Sequence, residues 1–380
     1  MNSWDVATVA AQAPLAVVDL HAFDANARDL LSRAGGKPIR VASKSVRCRA
    51  LVRRALDTPG FSGVMAFSVA EARWLVEGGI DDVYVAYPTA DLAGVRAITA
   101  DARLARQITL TVDSREHVEQ LCALQGTHRL RVALDVDASL QLGPLRLGVR
   151  RSRVRTPEQA AGLAREAQHR GLAVVGVMIY DALIAGLPDR SPLMRAVKSR
   201  SHRDLSVRRT DVVAAVREVA DLEFVNGGGT GSLHRLADDD SLTEVAAGSG
   251  LYAPTLFDGY RDFSLRPAAA FALPVVRHPA PGAATLFSGG YIASGPVSGD
   301  RAPTPVYPPG LRLSRTEGAG EVQTPVVGSA ANQLRLGDRV WLRHAKAGEL
   351  AERFTHFHLV RDDQQVEVVP TYRGEGKCFG

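Results

Sequence analysis

Gly63 to Pro88 reads GVMAFSVAEARWLVEGGIDDVYVAYP. Two short apolar runs, GVMAFS (Gly63–Ser68) and DVYVAYP (Asp82–Pro88), flank a segment rich in Ala, Leu, Arg and Glu. The runs have the length and β-branched content of strands buried on both faces. The segment between them has apolar residues at helical spacing and stops at Gly78-Gly79. A helix that carries the chain back between two such strands sets them parallel, so the stretch predicts one β/α unit.

The same beat extends in both directions. IRVAS (Ile39–Ser43) precedes a helical segment near Val46–Leu56, and DVYVAYP precedes a helix reaching about Arg103. ITLTVDS (Ile108–Ser114) opens another helix, with Ser114 as N-cap and His117 three residues on. LRVALDVD (Leu130–Asp137) is followed by a polar loop and a helix over Pro157–Arg170, whose Thr156-Pro157 start is a cap with proline in the first turn. LAVVGVMIY (Leu172–Tyr180), a long basic helical region, LEFV (Leu222–Val225) and TEVAAGS (Thr243–Ser249) complete eight runs. Eight parallel units close naturally into a (β/α)8 barrel, expected over residues 21–265. An open doubly wound sheet is the competing arrangement, and the count of eight disfavours it.

PLAVVDL (Pro14–Leu20) is surplus to the barrel. After about Tyr260 prolines become frequent and helical periodicity fades. Short runs such as AAFALPVV, ATLFSGGYI, RVWLRH, FTHFHLV and QVEVVP predict a smaller, mainly β domain over 266–380, on which residues 1–20 are expected to pack.

Composition bounds the function. Hydrophobic residues make up 46% and charged residues 23% of 380, which gives a globular chain a sizeable core. Aromatics at 6% offer no base-stacking platform. A net charge of +5 suits a small anionic ligand without requiring nucleic acid. The densest basic run, Arg195–Arg209, is interrupted or flanked by Asp189, Asp204 and Asp211 and reads as a solvated helix face, so no nucleic-acid partner is expected. Cys48, Cys122 and Cys378 lack paired spacing, which points to a reducing compartment. No leader-like start and no apolar run near the roughly 18–20 residues of a membrane span is present, so a cytoplasmic protein without a membrane partner is expected.

In a barrel, ligands sit at the C-terminal ends of the strands, and phosphates at the loops after strands seven and eight. Those two loops here are GGGTGS (Gly227–Ser232) and AAGSGLY (Ala246–Tyr252). Their glycines let backbone amides approach an anion, and Thr230, Ser232 and Ser249 add hydroxyls. The dinucleotide fingerprint is absent, because the glycines come late and at the wrong spacing. Lys44, in RVASKSVRC, ends the first barrel strand and is expected to lie across the mouth from these loops. It is either an anion clamp or a Schiff-base lysine.

The segments RVASKSVR, GVMAFSVAEARWLVEGGIDDVYVAYP, RLGVR, VNGGGTGS and EVAAGS, followed by a β domain, resemble the fold-type III pyridoxal-phosphate enzymes. The likeness is to the D-threonine aldolase and D-serine dehydratase branch, related to alanine racemase through its N-terminal barrel. It implies pyridoxal 5'-phosphate as cofactor, held covalently by Lys44, which also serves as base at the substrate α-carbon. It implies that Gly227, Gly228, Gly229, Thr230, Gly248 and Ser249 hold the phosphate, with Tyr252 as a further candidate. Tyr180 would line the pocket. Arg146 of RLGVR would face the pyridine nitrogen, or else form an ordinary salt bridge. The resemblance also implies a homodimer.

One departure from that branch bears on mechanism. The branch places a metal in its β domain, with Pro-x-His-x-Cys or Pro-x-His-x-Asp shortly after GD-x-V. Here the stretch is GDRVWLRHAKAGEL (Gly337–Leu350), with His344 followed two residues later by Lys346. VQTP (Val322–Pro325) stands where the branch has Glu-His-Gly. An ammonium offers a metal no lone pair, so no metal is expected. His344 and Lys346 are expected instead to supply positive charge or a proton near the substrate β-hydroxyl. A rearranged metal site would have to draw on Cys378, His356, His358 or Glu349. The expected reaction is cleavage of a small, D-configured β-hydroxy-α-amino acid to an amino acid and an aldehyde. Dehydration to a keto acid and ammonia, and racemisation, are the alternatives.

Overall fold

The computed structural model describes residues 3–149, 151–189, 191–295 and 299–380. The chain divides into two compact units. One comprises Leu30–Lys44, Arg53–Gly248 and Phe379–Gly380; the other comprises the residues up to Asp29, Ser45–Val52 and Ser249–Cys378.

After strand β1 (Leu15–Asp19) come β2 (Ile39–Ala42), β3 (Phe61–Ala66), β4 (Val83–Val85), β5 (Ile108–Val112) and β6 (Arg131–Asp135). A hairpin, β7 (Leu140–Leu142) and β8 (Leu145–Leu147), precedes β9 (Ala173–Ile179), β10 (Phe224–Gly227) and β11 (Glu244–Ala247). Strands β2 to β6 and β9 to β11 form the closed parallel barrel that the eight apolar runs predict. The seam is β11 against β2, with Ala247 opposite Val41.

Why these runs form strands is visible in their burial. β2, β5, β10 and β11 are buried at every residue, which only a sheet covered on both faces allows. The outer cover is helical, and its caps follow the sequence signals. Ser68 and Ser114 accept from the backbone N–H groups of Glu71 and His117 at 3.2 and 3.3 Å. Thr156 and Gln159 form a reciprocal capping box at the start of Pro157–His169. Inside, Tyr84, Ala133, Met178 and Phe224 pack together, the inward rows of four strands.

The basic run keeps a solvated face, with Arg200 and Arg203 exposed, but two of its cations depart from it. The run lies in the helix Pro192–Arg217, and Lys198, Leu205, Arg209, Val212 and Val216 fall on one buried face at spacings of three to seven residues. Lys198 and Arg209 are each 1% exposed and pair with buried Asp189 and Asp239. Helical phase decided their placement, and internal carboxylates offset the charge.

The second unit is a nine-stranded sheet. Its later strands are β12 (Ala269–Ala280), β13 (Ala283–Phe287), β14 (Thr304–Tyr307), β15 (Arg312–Leu313), β16 (Gln323–Val327), β17 (Arg339–Arg343), β18 (His356–Arg361) and β19 (Gln364–Pro370). β1 lies between β12, to which it is antiparallel, and β18, to which it is parallel. Trp341 on β17 anchors the N-terminal segment: its Nε1–H donates to Asp5 Oδ1 at 2.8 Å, and its ring lies 5.3 Å from that of Trp4.

Candidate functional site

The C-terminal ends of the barrel strands carry the chemistry. Lys44 leaves β2 in the single 3₁₀ turn Ser43–Ser45, half-buried, and its Nζ donates to the Tyr87 Oη at 2.6 Å. Tyr87 follows β4, two strands along, so the bond spans the inside of the mouth. Lys44 was expected across the mouth from the glycine loops, and the structure corrects this. Closure of the barrel makes β2 the neighbour of β11, whose next residue is Gly248, and β11 the neighbour of β10.

The loop after β10 is shaped by close packing. Gly228 has φ +82°, and a Cβ there would come 2.8 Å from Leu236 Cδ1, so only glycine fits. A Cβ on Gly227 would meet Leu242 at 3.0 Å, and one on Gly229 would meet Ala185 Cβ at 2.9 Å. Gly229 N–H donates to Ser232 Oγ at 3.1 Å, and Arg33 Nη1 donates to the Thr230 carbonyl at 2.7 Å. Thr230 and Ser232 are buried. The result is a braced turn of main chain, the kind of surface that offers peptide dipoles to an anion. Gly248 leads into the short turn Ser249–Tyr252.

Tyr180 follows β9, and the Cβ position of Gly229 lies 3.5 Å from its ring. Burial pushes its phenol up to about 12, and the Arg151 guanidinium lies 5.0 Å from the ring centroid. Asp135, the last residue of β6, is 6% exposed. Burial and then the Asp113 carboxylate push its carboxyl up to about 7, against the pull of Arg151. Asp113 in turn pairs with His117 Nδ1 at 2.9 Å, which raises that imidazole's basicity. Tyr87, Arg151 and Asp135 were not singled out from sequence. The one available signal was a carboxylate ending the otherwise apolar run RVALD.

Two candidates are engaged elsewhere. Arg146 lies on β8, where its Nη2 donates to Asp137 Oδ1 at 2.8 Å and its Nε to Ser139 Oγ at 2.9 Å. Arg155 holds the other oxygen of the same carboxylate at 2.8 Å. Burial would raise Asp137, but hydrogen bonds from Ser139, Arg146 and Arg155 hold it below the usual carboxylate range. Tyr252 is fully buried, and its hydroxyl donates its one proton to the Val46 carbonyl at 2.8 Å, which leaves none for a phosphate.

His344 and Lys346 belong to the β unit. His344 is 4% exposed, its ring edge-on to Tyr252 at 6.3 Å, and Lys346 Nζ donates to the Ser294 carbonyl at 3.4 Å. His356 Nδ1 shares a hydrogen bond with Thr355 Oγ1 and His358 Nδ1 one with Gln365 Oε1. Among the described residues no group of three or more His, Cys, Asp or Glu side chains could hold a metal ion. Among them, too, no helix is long and apolar enough to cross a membrane.

Asp135 gives a prediction with a defined sign. Its carboxyl titrates near 7 when folded and near 4 when unfolded, so between those values the native state binds more protons and stability falls as pH rises. Asp135→Asn removes the titration while keeping the shape. The variant is expected to match the wild type near pH 4 and exceed it by roughly 1–3 kcal/mol at pH 8. Thermal midpoints measured across that range check this; parallel curves for the two proteins would refute it.

The alanine racemase N-terminal domain model matches residues 18–255. The chain is 24% identical over 249 residues to a 3-hydroxy-D-aspartate aldolase of Paracoccus denitrificans (strain Pd 1222), a match covering 63% of this chain and 59% of that protein. It is 28% identical over 259 residues to a D-threonine aldolase of Arthrobacter sp, covering 65% and 64%. The matched regions thus span under two thirds of either relative. The crystal structure of D-threonine aldolase from Filomicrobium marinum superposes with a TM-score of 0.79 at 22% identity, covering 96% of this chain and 95% of that one, a likeness of fold.

Proposed function

Because the chain belongs to the alanine racemase N-terminal domain family, we propose that it is a pyridoxal-phosphate-dependent lyase. Its substrate in this reading is a small, D-configured β-hydroxy-α-amino acid, cleaved to an amino acid and an aldehyde. The observation that carries the reading is the primary amine of Lys44 at the end of the first barrel strand, bonded to Tyr87 inside the mouth, with glycine turns on the next two strands. The two relatives named above are aldolases, which favours cleavage.

The donor set suits this coenzyme. An aldehyde needs an amine, which Lys44 supplies, and a phosphate needs peptide dipoles and hydroxyls, for which the close-packed turn at Gly227–Thr230, its Gly229 N–H held by Ser232 Oγ, and the turn at Gly248–Ser249 are assigned. Lys44, Gly227, Gly228, Gly229, Thr230, Gly248 and Ser249 are the residues assigned to hold it, with Tyr180 lining the pocket. When bound, the coenzyme supplies an electron sink for negative charge at the amino-acid α-carbon.

The chain's own residues then handle protons. Tyr87 Oη, 2.6 Å from Lys44 Nζ, is placed to take or return a proton at that nitrogen. Cleavage needs a proton removed from the β-hydroxyl and one delivered to the α-carbon. Asp135, with its carboxyl near 7, is the barrel-mouth group matched to such transfers at neutral pH. Lys346 is assigned as a cationic residue that ligates nothing, so turnover in this reading needs no metal. We assign the working form as a cytoplasmic homodimer; the free thiols of Cys48, Cys122 and Cys378 suit a reducing compartment.

The test is a panel of D- and L-β-hydroxy amino acids, assayed for aldehyde, ammonia and enantiomer composition before and after exhaustive chelation. Aldehyde formed in step with the product amino acid, from D-substrates, at a rate chelation leaves unchanged, is the expected result. Ammonia with a keto acid would make the protein a dehydratase. Exchange of enantiomers alone would make it a racemase. Loss of turnover restored by a divalent cation would overturn the metal-free assignment.

A further inference from the structure

We propose that a cavity in the β unit is a binding site for a small carboxylate. It is partly open, holds about 370 Å³, and its charged lining consists of Arg47, Lys346, Arg353 and Arg373 against Glu349 and Glu352. That volume fits a compact small molecule.

The two carboxylates are committed to the walls. Glu352 Oε1 lies 2.6 Å from Arg47 Nη1. Glu349 accepts the Ser294 N–H with both oxygens, at 3.0 and 3.2 Å, and Lys346 Nζ donates to the carbonyl of the same residue at 3.4 Å. An acid and a base therefore hold the main chain on both sides of Ser294 and fix the rim. Arg353 is oriented differently: its Cζ sits 5.6 Å from the centroid of the Tyr291 ring. An arginine held by its face keeps its N–H edge available. Among the described residues no carboxylate lies within ion-pair distance of Arg353 or Arg373. Arg353 and Arg373 are exposed residues lining this one cavity, and among the described residues neither guanidinium donates a hydrogen bond to the protein; guanidinium forks bind carboxylate and phosphate alike.

The oxyanion assignment does not depend on the lyase reading. The choice of carboxylate over phosphate does rest on it, because the substrate and product of that reaction are themselves carboxylates. Arg47 also follows Lys44 by three residues in the chain.

The experiment is calorimetric titration with malonate, succinate, inorganic phosphate and the uncharged isostere malonamide. It uses the wild type, Arg353→Ala/Arg373→Ala and Arg353→Lys/Arg373→Lys as holoenzymes, and Lys44→Ala without bound coenzyme beside the wild-type apoenzyme. Malonate is expected to bind, and malonamide not. The double alanine variant should weaken malonate at least about tenfold, the double lysine variant less, since charge remains without the fork. Lys44→Ala should bind malonate as the wild-type apoenzyme does, so a failed lyase reading leaves this result standing. Equal binding of malonate by the double alanine variant, with an unchanged thermal midpoint, would overturn the site. So would equal binding of malonamide. Phosphate tighter than either dicarboxylate would overturn the carboxylate assignment. Competition between malonate and the amino-acid substrate would identify the ligand as the substrate's own side chain, and non-competitive inhibition would identify a separate effector; both support the site.

Discussion

Lys44→Ala is expected to lower kcat/KM by at least about a thousandfold and to abolish visible absorbance of the holoenzyme, while leaving the fold intact. The size follows from the two tasks assigned to one nitrogen. In the proposed function it holds the coenzyme, and with Tyr87 it moves a proton at the substrate. Removing a residue that does both removes covalent catalysis and acid–base catalysis together, and general acid–base work alone contributes about 10²–10⁴. The fold should survive because Lys44 is half-buried and sits in a short turn after β2 rather than within the ladder. The Tyr87 hydroxyl loses one partner at a position that water can reach. Borohydride reduction of the wild type followed by peptide mass analysis should place the coenzyme on the peptide containing Lys44. Turnover by the alanine variant within tenfold of wild type, or label on another lysine, would end the assignment.

The barrel was legible because its signal is local. Each apolar run is a few residues long, each helix stop or cap lies within a turn of its neighbour, and eight repeats leave few closed topologies. Closure was legible too, and it makes the eighth strand the neighbour of the first, so placing Lys44 across the mouth from the second glycine loop did not follow from the predicted barrel: Lys44 is on the next strand. β1 is a different case. Its apolar content marked it as buried, but its place between β12 and β18 depends on register against strands at the far end of the chain. Buried charge was the other blind spot. Lys198 and Arg209 look like solvated residues in a basic run, and only the phase of a 26-residue helix turns them inward. Of the two roles the sequence left open for Arg146, the structure shows the salt bridge; its partners Asp137 and Ser139 lie in a polar loop without periodicity, which is why the motif alone could not choose. Asp135 was hidden by the run that contains it, since one carboxylate at a strand end reads as the start of a loop.

Arg40→Met is expected to cost about 3–5 kcal/mol of stability, the range for removing one partner of a buried ion pair. Arg40 is the second residue of β2 and is 2% exposed. Its Nε and Nη2 donate to the two oxygens of Glu244 at 2.7 and 2.8 Å, and its Nη1 to the Asp82 carbonyl at 2.9 Å. Asn226 donates to the same Glu244 at 2.8 Å, and the Phe224 ring lies 5.1 Å from the guanidinium carbon. Burial works against the Arg40 charge, but Glu244 and then Asp82 outweigh it, so the guanidinium stays ionised. Even the opening glycine of GVMAFS belongs to this arrangement: at φ +69°, a Cβ on Gly63 would collide with the Arg40 guanidinium. Methionine fills the volume but strands a buried carboxylate on β11 with one amide donor. The loss falls on the β2–β11 seam, and each of these strands carries a proposed site residue just past its end, Lys44 and Gly248. Coenzyme affinity should therefore fall with stability. Glu244→Gln in the Arg40→Met background removes the stranded charge and should recover more than half of the loss, in both thermal midpoint and coenzyme affinity. If Arg40→Met costs less than about 1 kcal/mol, or the second substitution restores nothing, then packing rather than this charge network closes the barrel.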